Sequence, residues 1–201
     1  MSYLVNSVGH VQLNVVDVDA LVRESQQILG LRVTREAAGC VWLSSNGRKV
    51  ELVLHESPEN SIRSLGFEAV SKAAVAEAAS RVEAAGCRLQ SSDPSLECCE
   101  TGMSFVTPQG HTIELHAPVE TEIYGNRHAT TGMAPLRLDH VNITSPEPAE
   151  TRSQMEQIMG MRLSERMVDD GLSWMRGANR LHHILGIVRG DTGLHHYSWE
   201  V

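Results

Sequence analysis

One pattern of apolar and polar positions occurs twice along this chain. An alternating segment begins at His10 and again at His140, and each is followed by an amphipathic segment, a glycine and two or three further alternating segments. Alternation predicts a half-buried strand, whereas apolar residues three and four positions apart predict a helix. Each copy is therefore predicted to be a unit with the order βαβββ.

Residue identities support the repeat. Residues 9–14 (Gly-His-Val-Gln-Leu-Asn) align with residues 139–144 (Asp-His-Val-Asn-Ile-Thr), and residues 28–33 align with 158–163 at the same spacing. Self-similarity at a fixed spacing indicates a repeated structural unit. After a two-residue insertion the match resumes at three pairs, which are Gly39 and Gly171, Trp42 and Trp174, and Arg48 and Arg180.

The predicted helices of the two copies end in the same way. Gly30 and Gly160 follow the last apolar position of each helix, where a left-handed C-terminal cap is common. Pro148 stands where the second helix begins. We expect the apolar faces to be core, with Leu21, Val22, Ile28 and Leu29 in the first helix and Met155, Ile158 and Met159 in the second.

A third unit of similar pattern lies between the copies. It has a strand at 64–70, an alanine-rich helix at 72–85 closed by Gly86, and strands that run to Ala117. The following segment contains Gly, Asn and Pro, which are typical of a linker. We expect a first module of two units at 1–118, a linker at 119–136 and the first part of a second module at 137–201.

Composition excludes several classes of protein. The chain of 201 residues is 41% hydrophobic and 21% charged, which is typical of a globular protein. Its net charge of −8 is spread along the sequence, so we expect neither nucleic acid nor an anionic membrane as a partner. No apolar run reaches the roughly 18 residues of a membrane span, and we expect a soluble, cytoplasmic protein.

Histidine is the unusual residue type. The ten histidines include the doublets His182-His183 and His195-His196, and imidazole is a common ligand of transition metals. The cysteines show no Cys-x-x-Cys spacing, so we expect reduced thiols, with a structural disulfide as the alternative. They are Cys40, Cys87, Cys98 and Cys99.

The paired units resemble the vicinal oxygen chelate superfamily, which includes glyoxalase I, bleomycin-resistance proteins and type I extradiol ring-cleaving dioxygenases. The resemblance rests on the His near the start of the first strand and on Pro-x-Gly-x-x-Ile-Glu-Leu at 108–115. Leu-Asp-His-Val-Asn at 138–142 and Gly-Leu-His-His-Tyr-Ser-Trp-Glu-Val at 193–201 point to the dioxygenases. The resemblance implies an α+β fold in which repeated βαβββ units form curved mixed sheets, with the second domain incomplete at Val201.

The resemblance also implies a site in the second module, where two His and one Glu hold Fe(II) or occasionally Mn(II). His140 and His196 match the two imidazole ligands. His183 matches the acid-base catalyst, with His182 as the alternative. His195 and Asn142 are expected to line the substrate pocket.

Such a ligand set suits ring cleavage, because it leaves adjacent positions on the metal for both catechol oxygens and for dioxygen. We therefore expect a homo-oligomeric extradiol dioxygenase whose partners are a small aromatic diol and O2. The alternative is a non-catalytic or truncated small-molecule-binding protein of the bleomycin-resistance type. A glyoxalase-like isomerase is disfavoured, since that family uses Glu where this chain has His.

The third metal ligand is expected outside this sequence. Glu114 matches the closing Glu of the family in the first module, and the repeat spacing places its counterpart at about position 245, beyond Val201. We expect a longer chain that supplies this ligand, or else a truncated product that needs a partner. Glu200 is a poor substitute, because side chains four residues apart on one strand are separated by about 13 Å.

The first module is expected to lack the metal. Leu65 aligns with His196, and Glu51 aligns with His183. His10 and Glu114 form either a partial site or, as we favour, a structural pair. Trp174 is expected to be a core aromatic residue rather than a cavity residue. The remaining histidines, His55, His111, His116 and His128, are expected at the surface or at pocket edges.

Overall fold

The computed structural model describes residues 2–119 and 132–201. Three βαβββ units follow one another in these ranges, and one more strand follows the third. The first unit consists of β1 (Val5–Val15), α1 (Val18–Glu24), β2 (Arg32–Ala37), β3 (Cys40–Ser44) and β4 (Leu52–Glu56). The second consists of β5 (Ser61–Ala69), α2 (Lys72–Ala79), β6 (Arg88–Ser91), β7 (Gly102–Val106) and β8 (Thr112–His116). The third consists of β9 (Arg137–Ser145), α3 (Pro148–Met159), β10 (Arg162–Arg166), β11 (Leu172–Arg176) and β12 (Leu185–Arg189), and β13 (Gly193–Glu200) follows it.

The strands of the described ranges form two mixed sheets. The first has eight strands in the order β2-β3-β4-β1-β5-β8-β7-β6, and the second has five in the order β10-β11-β12-β9-β13. In both sheets the first strand of a unit pairs in parallel with the last strand of that unit, as β1 does with β4 and β9 with β12. On its other side it pairs antiparallel with the strand that follows the unit, as β1 does with β5 and β9 with β13. The predicted α+β fold with repeated βαβββ units is confirmed.

The strand register corrects two sequence alignments. Leu52 and Leu185 lie opposite the equivalent residues Val11 and Val141, so Val50, not Glu51, occupies the position of His183.

Gln12 lies opposite Ser64 in the first sheet, and the equivalent Asn142 lies opposite His196 in the second. Ser64, not Leu65, therefore occupies the position of His196. Both strand pairs contain register shifts, and such bulges add a residue that a linear alignment cannot place.

The first helix departs from its prediction at its last turn. Asp17 caps α1 by accepting from the N–H of Ala20 at 2.9 Å, but residues Ser25–Leu29 continue as a π-helical turn. Because a π-turn winds more widely than an α-turn, the apolar face is not continued, and Ile28 is 53% exposed instead of buried. Gly30 has the predicted left-handed conformation, with a φ of 73°.

The second helix is shorter than predicted. It ends at Ala79 rather than Ala85, and residues 80–86 form turns that end at Gly86, where φ is 75°. The hydroxyl of Ser80 donates to the carbonyl of Glu77 at 2.7 Å, which satisfies one of the carbonyls that a helix end leaves unpaired.

The third helix confirms its predicted core face. Met155, Ile158 and Met159 are fully buried, and Gly160 caps the helix with a φ of 63°. These residues belong to one hydrophobic core that is continuous across the first and second modules.

Two reciprocal contacts join the modules. The side-chain amide of Asn46 donates to the carbonyl of Leu136 at 2.8 Å. In turn the N–H of Ala178 donates to the carbonyl of Val5 at 3.0 Å. In each case the turn region after the third strand of one unit contacts the start of the other unit. The candidate site on β9 is therefore supported from the first module.

Three of the four histidines expected at the surface or at pocket edges lie deeper than predicted, and His128 lies outside the described residues. His111 and His116 are buried and His55 is half-buried. For His111 and His116 the reason is that β8, which His111 directly precedes and which His116 ends, lies inside the sheet between β5 and β7. His111 also donates from Nε2 to the carbonyl of Thr144 at 2.8 Å, which adds a further contact between the modules.

The four cysteines have free thiols. No helix in the described part of the chain is long and apolar enough to cross a membrane.

Candidate metal centre

Two imidazoles converge on neighbouring strands of the second sheet. His140 lies on β9 and His196 on β13, and their Nε2 atoms are 3.2 Å apart. Two nitrogen ligands that each lie about 2.1 Å from one metal ion, at angles of about 90–110°, are roughly 3.0–3.4 Å apart. The pair therefore has the spacing of two ligands on a single ion.

Asp139 orients the first of these imidazoles. Nδ1 of His140 donates to the carboxylate of Asp139 at 2.6 Å, so the lone pair of the neutral ring is left on Nε2. A carboxylate behind a ligating histidine fixes the tautomer and makes the ring a stronger ligand. Sequence reasoning missed this role of Asp139, although the residue precedes His140 directly.

His183 packs against His140 on the other side. It lies in the segment before β12, and its ring centroid is 4.3 Å from that of His140. Burial, followed by the electrostatic effect of the neighbouring His140 and His182, lowers the pKa of His183 to about 4. His183 is therefore neutral near pH 7.

Trp174 lies at this site. It is half-buried, and its ring centroid is 6.5 Å from that of His183 and 6.4 Å from that of His182. Its repeat partner Trp42 is buried in a small apolar cluster of the first module. The expectation that Trp174 is a core residue is therefore wrong, because the strand that carries it runs beside the histidine cluster.

Asn142 provides a buried polar atom without a partner. It lies directly opposite His196, and its Oδ1 is buried without a hydrogen bond in the described structure. Gly186 allows this placement, since a Cβ there would lie 2.1 Å from that oxygen. A buried carbonyl oxygen without a donor is costly, so this oxygen is available to accept a hydrogen bond.

His195 is more peripheral. It is exposed, and its Nδ1 lies 2.7 Å from Nδ1 of His196. Burial, followed by the charges of His140 and His195, lowers the pKa of His196, so the neutral form that binds metals is favoured. His182 is also exposed and lies 3.6 Å from the carboxylate of Glu165.

A third ligand does not join the pair within residues 2–119 and 132–201, where no group of three or more His, Cys, Asp or Glu could hold a metal ion. Glu200 instead pairs with Arg137, whose Nε lies 2.6 Å from its carboxylate. The sequence-based exclusion of Glu200 agrees with this ion pair.

The equivalent place in the first module is filled by hydrogen bonds. Nε2 of His10 lies 3.2 Å from Glu114, and the same carboxylate accepts from Gln12 at 2.9 Å and from the hydroxyls of Ser64 and Ser95. Burial alone would raise the pKa of Glu114, but the contacts with His10, Ser64 and Ser95 lower it to about 2. Because these donors occupy the carboxylate oxygens, a structural role for His10 and Glu114 is favoured.

Sequence reasoning did not identify Gln12, Ser64 and Ser95. Gln12 aligns with Asn142 in the repeat, so the repeat could have identified it. Ser64 could not be identified in this way, because the register shift displaces the alignment. Ser95 lies in the loop between β6 and β7, which has no counterpart among the strands of the repeat pattern.

Residues 7–115 match the family model of the Glyoxalase/Bleomycin resistance protein/Dioxygenase superfamily, and the chain belongs to this superfamily. Among curated proteins it is 26% identical over 209 residues to a metapyrocatechase of Pseudomonas sp. (strain CF600), covering 95% of this chain and 68% of the relative. It is 24% identical over 212 residues to a manganese-dependent 2,3-dihydroxybiphenyl 1,2-dioxygenase of Geobacillus genomosp. 3, covering 95% and 67%.

The fold is also similar to that of a solved structure, a Mn(II)-bound glyoxalase from Novosphingobium aromaticivorans. The TM-score is 0.87 at 23% identity, and the match covers 99% of this chain and 66% of that one. The chain thus spans about two thirds of the length of these relatives.

Proposed function

We propose that this chain carries the metal-binding part of an extradiol dioxygenase, which opens the ring of a catecholic aromatic compound with O2. The observation that carries the proposal is the convergence of the Nε2 atoms of His140 and His196 at 3.2 Å. The relatives named metapyrocatechase and dihydroxybiphenyl dioxygenase support this type of reaction.

His140 and His196 would hold Fe(II) or Mn(II). When bound, the metal supplies adjacent open positions for the two diol oxygens and for dioxygen. The contact between Asp139 and His140 keeps the ligand ring in the tautomer that the metal needs. The third ligand, a carboxylate, would come from outside the described residues.

His183 is proposed as the acid-base residue. Its ring lies beside His140, and burial holds it neutral, so it can accept the proton that a catechol hydroxyl loses on binding. His182 is the weaker candidate, because its ring is exposed and faces Glu165.

Asn142 and His195 are proposed as substrate contacts. The unpaired Oδ1 of Asn142, which lies against Gly186, can accept a hydrogen bond from a substrate hydroxyl. His195 is exposed at the rim, where it can contact a substituent of the aromatic ring. The homo-oligomeric state and the cytoplasmic location stay predictions from the sequence.

The test is oxygen consumption by the intact protein. Protein loaded anaerobically with Fe(II), or with Mn(II) in parallel, is mixed with catechol in air-saturated buffer, and oxygen uptake and the absorbance of the ring-opened product are followed. We expect about one O2 consumed per catechol cleaved, and no uptake by a His140→Ala/His196→Ala double variant.

Two outcomes would overturn the proposal. A metal-loaded protein that consumes no oxygen with any of several catechols is not a dioxygenase. Tight binding of an aromatic compound by metal-free protein, without oxygen uptake, would favour the binding protein of the bleomycin-resistance type instead.

A further inference from the structure

The first module has a pocket of about 390 Å³ that the proposed function does not use. It is formed by β2, by Trp42 of β3 and by the turn before β4, and Glu97 of the loop between β6 and β7 completes its wall. Residues of both units of the first module therefore line it. A pocket of this volume is large enough for a small organic molecule.

The pocket lies where the second module has one side of its histidine cluster. The hydroxyl of Thr34 donates to the carbonyl of Lys49, and in the second module the hydroxyl of Ser164 donates to the carbonyl of His182. Thr34 and Ser164 are equivalent in the repeat. Lys49 therefore occupies the position of His182.

The strands beside the pocket show the same correspondence. Arg35 lies opposite Trp42 in the first sheet, and Glu165 lies opposite Trp174 in the second. The guanidinium carbon of Arg35 is 4.8 Å from the centroid of the Trp42 ring. The first module thus keeps an aromatic wall at this place but has a basic residue where the second module has an acidic one.

The lining of the pocket is basic, although the chain as a whole has a net charge of −8. One carboxylate, that of Glu97, and four cationic side chains line it, and the cations are those of Arg32, Arg35, Arg48 and Lys49. Arg35 pairs with Glu97, and Arg48 pairs with Glu68 at 3.1 Å. Among the residues that the structure describes, no carboxylate pairs with Arg32 or Lys49. Two positive charges therefore remain uncompensated, and a cleft with one sign of charge attracts ligands of the opposite sign.

Arg32 is held in place with donors to spare. Its Nη2 donates to the carbonyls of Asn46 at 2.6 Å and Arg48 at 3.2 Å. Its Nε and Nη1 donate to no group within the described ranges. A guanidinium that is already positioned and still has free N–H groups can bind a carboxylate with little loss of side-chain freedom.

We infer that this pocket binds a small aromatic carboxylate. The carboxylate would lie between Arg32 and Lys49, which supply the uncompensated charge. The ring would pack beside Trp42, which belongs to a small apolar cluster with Val50 and Leu96. An inorganic anion would meet the same charges but would gain nothing from the aromatic wall. This inference concerns the first module and does not depend on the proposed dioxygenase activity.

The experiment is a titration of 4-fluorobenzoate with the metal-free full chain, followed by fluorine NMR of the probe. We expect a Kd of about 0.1–1 mM, which is reasonable for a ligand with about ten non-hydrogen atoms. Raising the salt concentration should weaken binding several-fold, because salt screens charges at an open pocket. The neutral 4-fluorobenzamide has nearly the same shape and should not bind.

Variants of opposite effect locate the probe. Lys49→Gln removes an uncompensated cation and should weaken binding about three- to fivefold. Glu97→Gln removes the carboxylate of the lining and frees Arg35, so it should strengthen binding about two- to threefold. Lys72→Gln is the matched control, because Lys72 is exposed, pairs with Glu100 and lies outside the pocket, and its Kd should equal that of the wild type.

All of these side chains are exposed except that of Arg35, which is not changed, so the variants should fold, and circular dichroism checks this. Equal affinity for 4-fluorobenzamide would show that no anion is recognised. A Kd that is unchanged in both Lys49→Gln and Glu97→Gln would place the probe elsewhere in the chain. Displacement of the probe by inorganic phosphate as effectively as by unlabelled benzoate would show that charge alone attracts the ligand. Each of these three results would overturn the inference.

Discussion

The carboxylate of Glu51, a residue of the first module, accepts a hydrogen bond from the backbone N–H of Leu138 at 3.2 Å, two residues before His140. Glu51 is fully buried and also accepts from the N–H of Ser45 at 2.7 Å and from Asn46 at 3.0 Å. The start of the strand that carries His140 is thus held by the other module.

Replacing Glu51 by Gln should destabilise the protein. The NH2 group of the new amide would face the N–H of Ser45, so two buried donors would meet without an acceptor. An unsatisfied buried donor costs about 1–3 kcal/mol of stability. The free energy of unfolding, measured by urea denaturation, should fall by about that amount. Glu36→Gln makes the same chemical change on an exposed side chain of β2 and should have little effect. Equal stability of the two variants would contradict a role for Glu51 in joining the modules.

Replacing Asp139 by Asn should weaken metal binding without unfolding the protein. The amide is a weaker acceptor for Nδ1 of His140, and loss of such a supporting carboxylate typically costs about 10–100-fold in metal affinity. Isothermal titration with Mn(II) measures this change. Asp191→Asn, on an exposed residue, is the control and should leave the affinity unchanged. Unchanged affinity in Asp139→Asn would remove Asp139 from the site.

Replacing His183 by Asn should separate chemistry from metal binding. We expect kcat to fall by about 10²–10⁴-fold, as for loss of an acid-base group, while the metal content stays the same. His182→Asn, on the adjacent and exposed histidine, should retain most of the activity. The opposite result, with His182→Asn inactive and His183→Asn active, would reverse the assignment of the two residues.

Stability should fall as the pH is lowered through the range of the buried histidines. Burial, followed by the charge of His10, lowers the pKa of His116 to about 4 from its ordinary value of 6.5. The unfolded chain therefore binds more protons than the folded protein between about pH 6.5 and pH 4, and stability is lost as the pH falls through that window. The contribution of His116 is about 3 kcal/mol.

A variant tests this pH dependence directly. In His116→Gln the free energy of unfolding should fall less steeply between pH 6.5 and 4, because the variant takes up about one proton fewer on unfolding. His195→Gln, on an exposed residue, should keep the wild-type slope. Identical slopes in the wild type and in His116→Gln would show that His116 does not titrate in this window.

The features that sequence predicted well are local ones. Strand alternation, the caps at Gly30 and Gly160 and the buried face of α3 depend on neighbouring residues, and all of them are present in the structure. The burial of His111 and His116 depends on the order of strands within a sheet, which no local pattern encodes.

Much the same holds for the candidate site. His140 and His196, which the repeat and the family resemblance pointed to, come together because β9 and β13 pair. Ser64 was missed because a bulge shifts the register by one residue, and Asp139 was missed because its role depends on how its side chain turns towards His140. Side-chain direction and bulges are tertiary properties that alternation alone does not determine.

Metal binding by the intact protein tests the site most directly. Mn(II) is a convenient probe, because electron paramagnetic resonance distinguishes free from bound ion. We expect about one Mn(II) per chain in the wild type, and loss of at least a hundredfold in affinity in His140→Ala and in His196→Ala, with melting temperatures unchanged. Stoichiometric Mn(II) binding by both folded variants would show that the metal is held elsewhere.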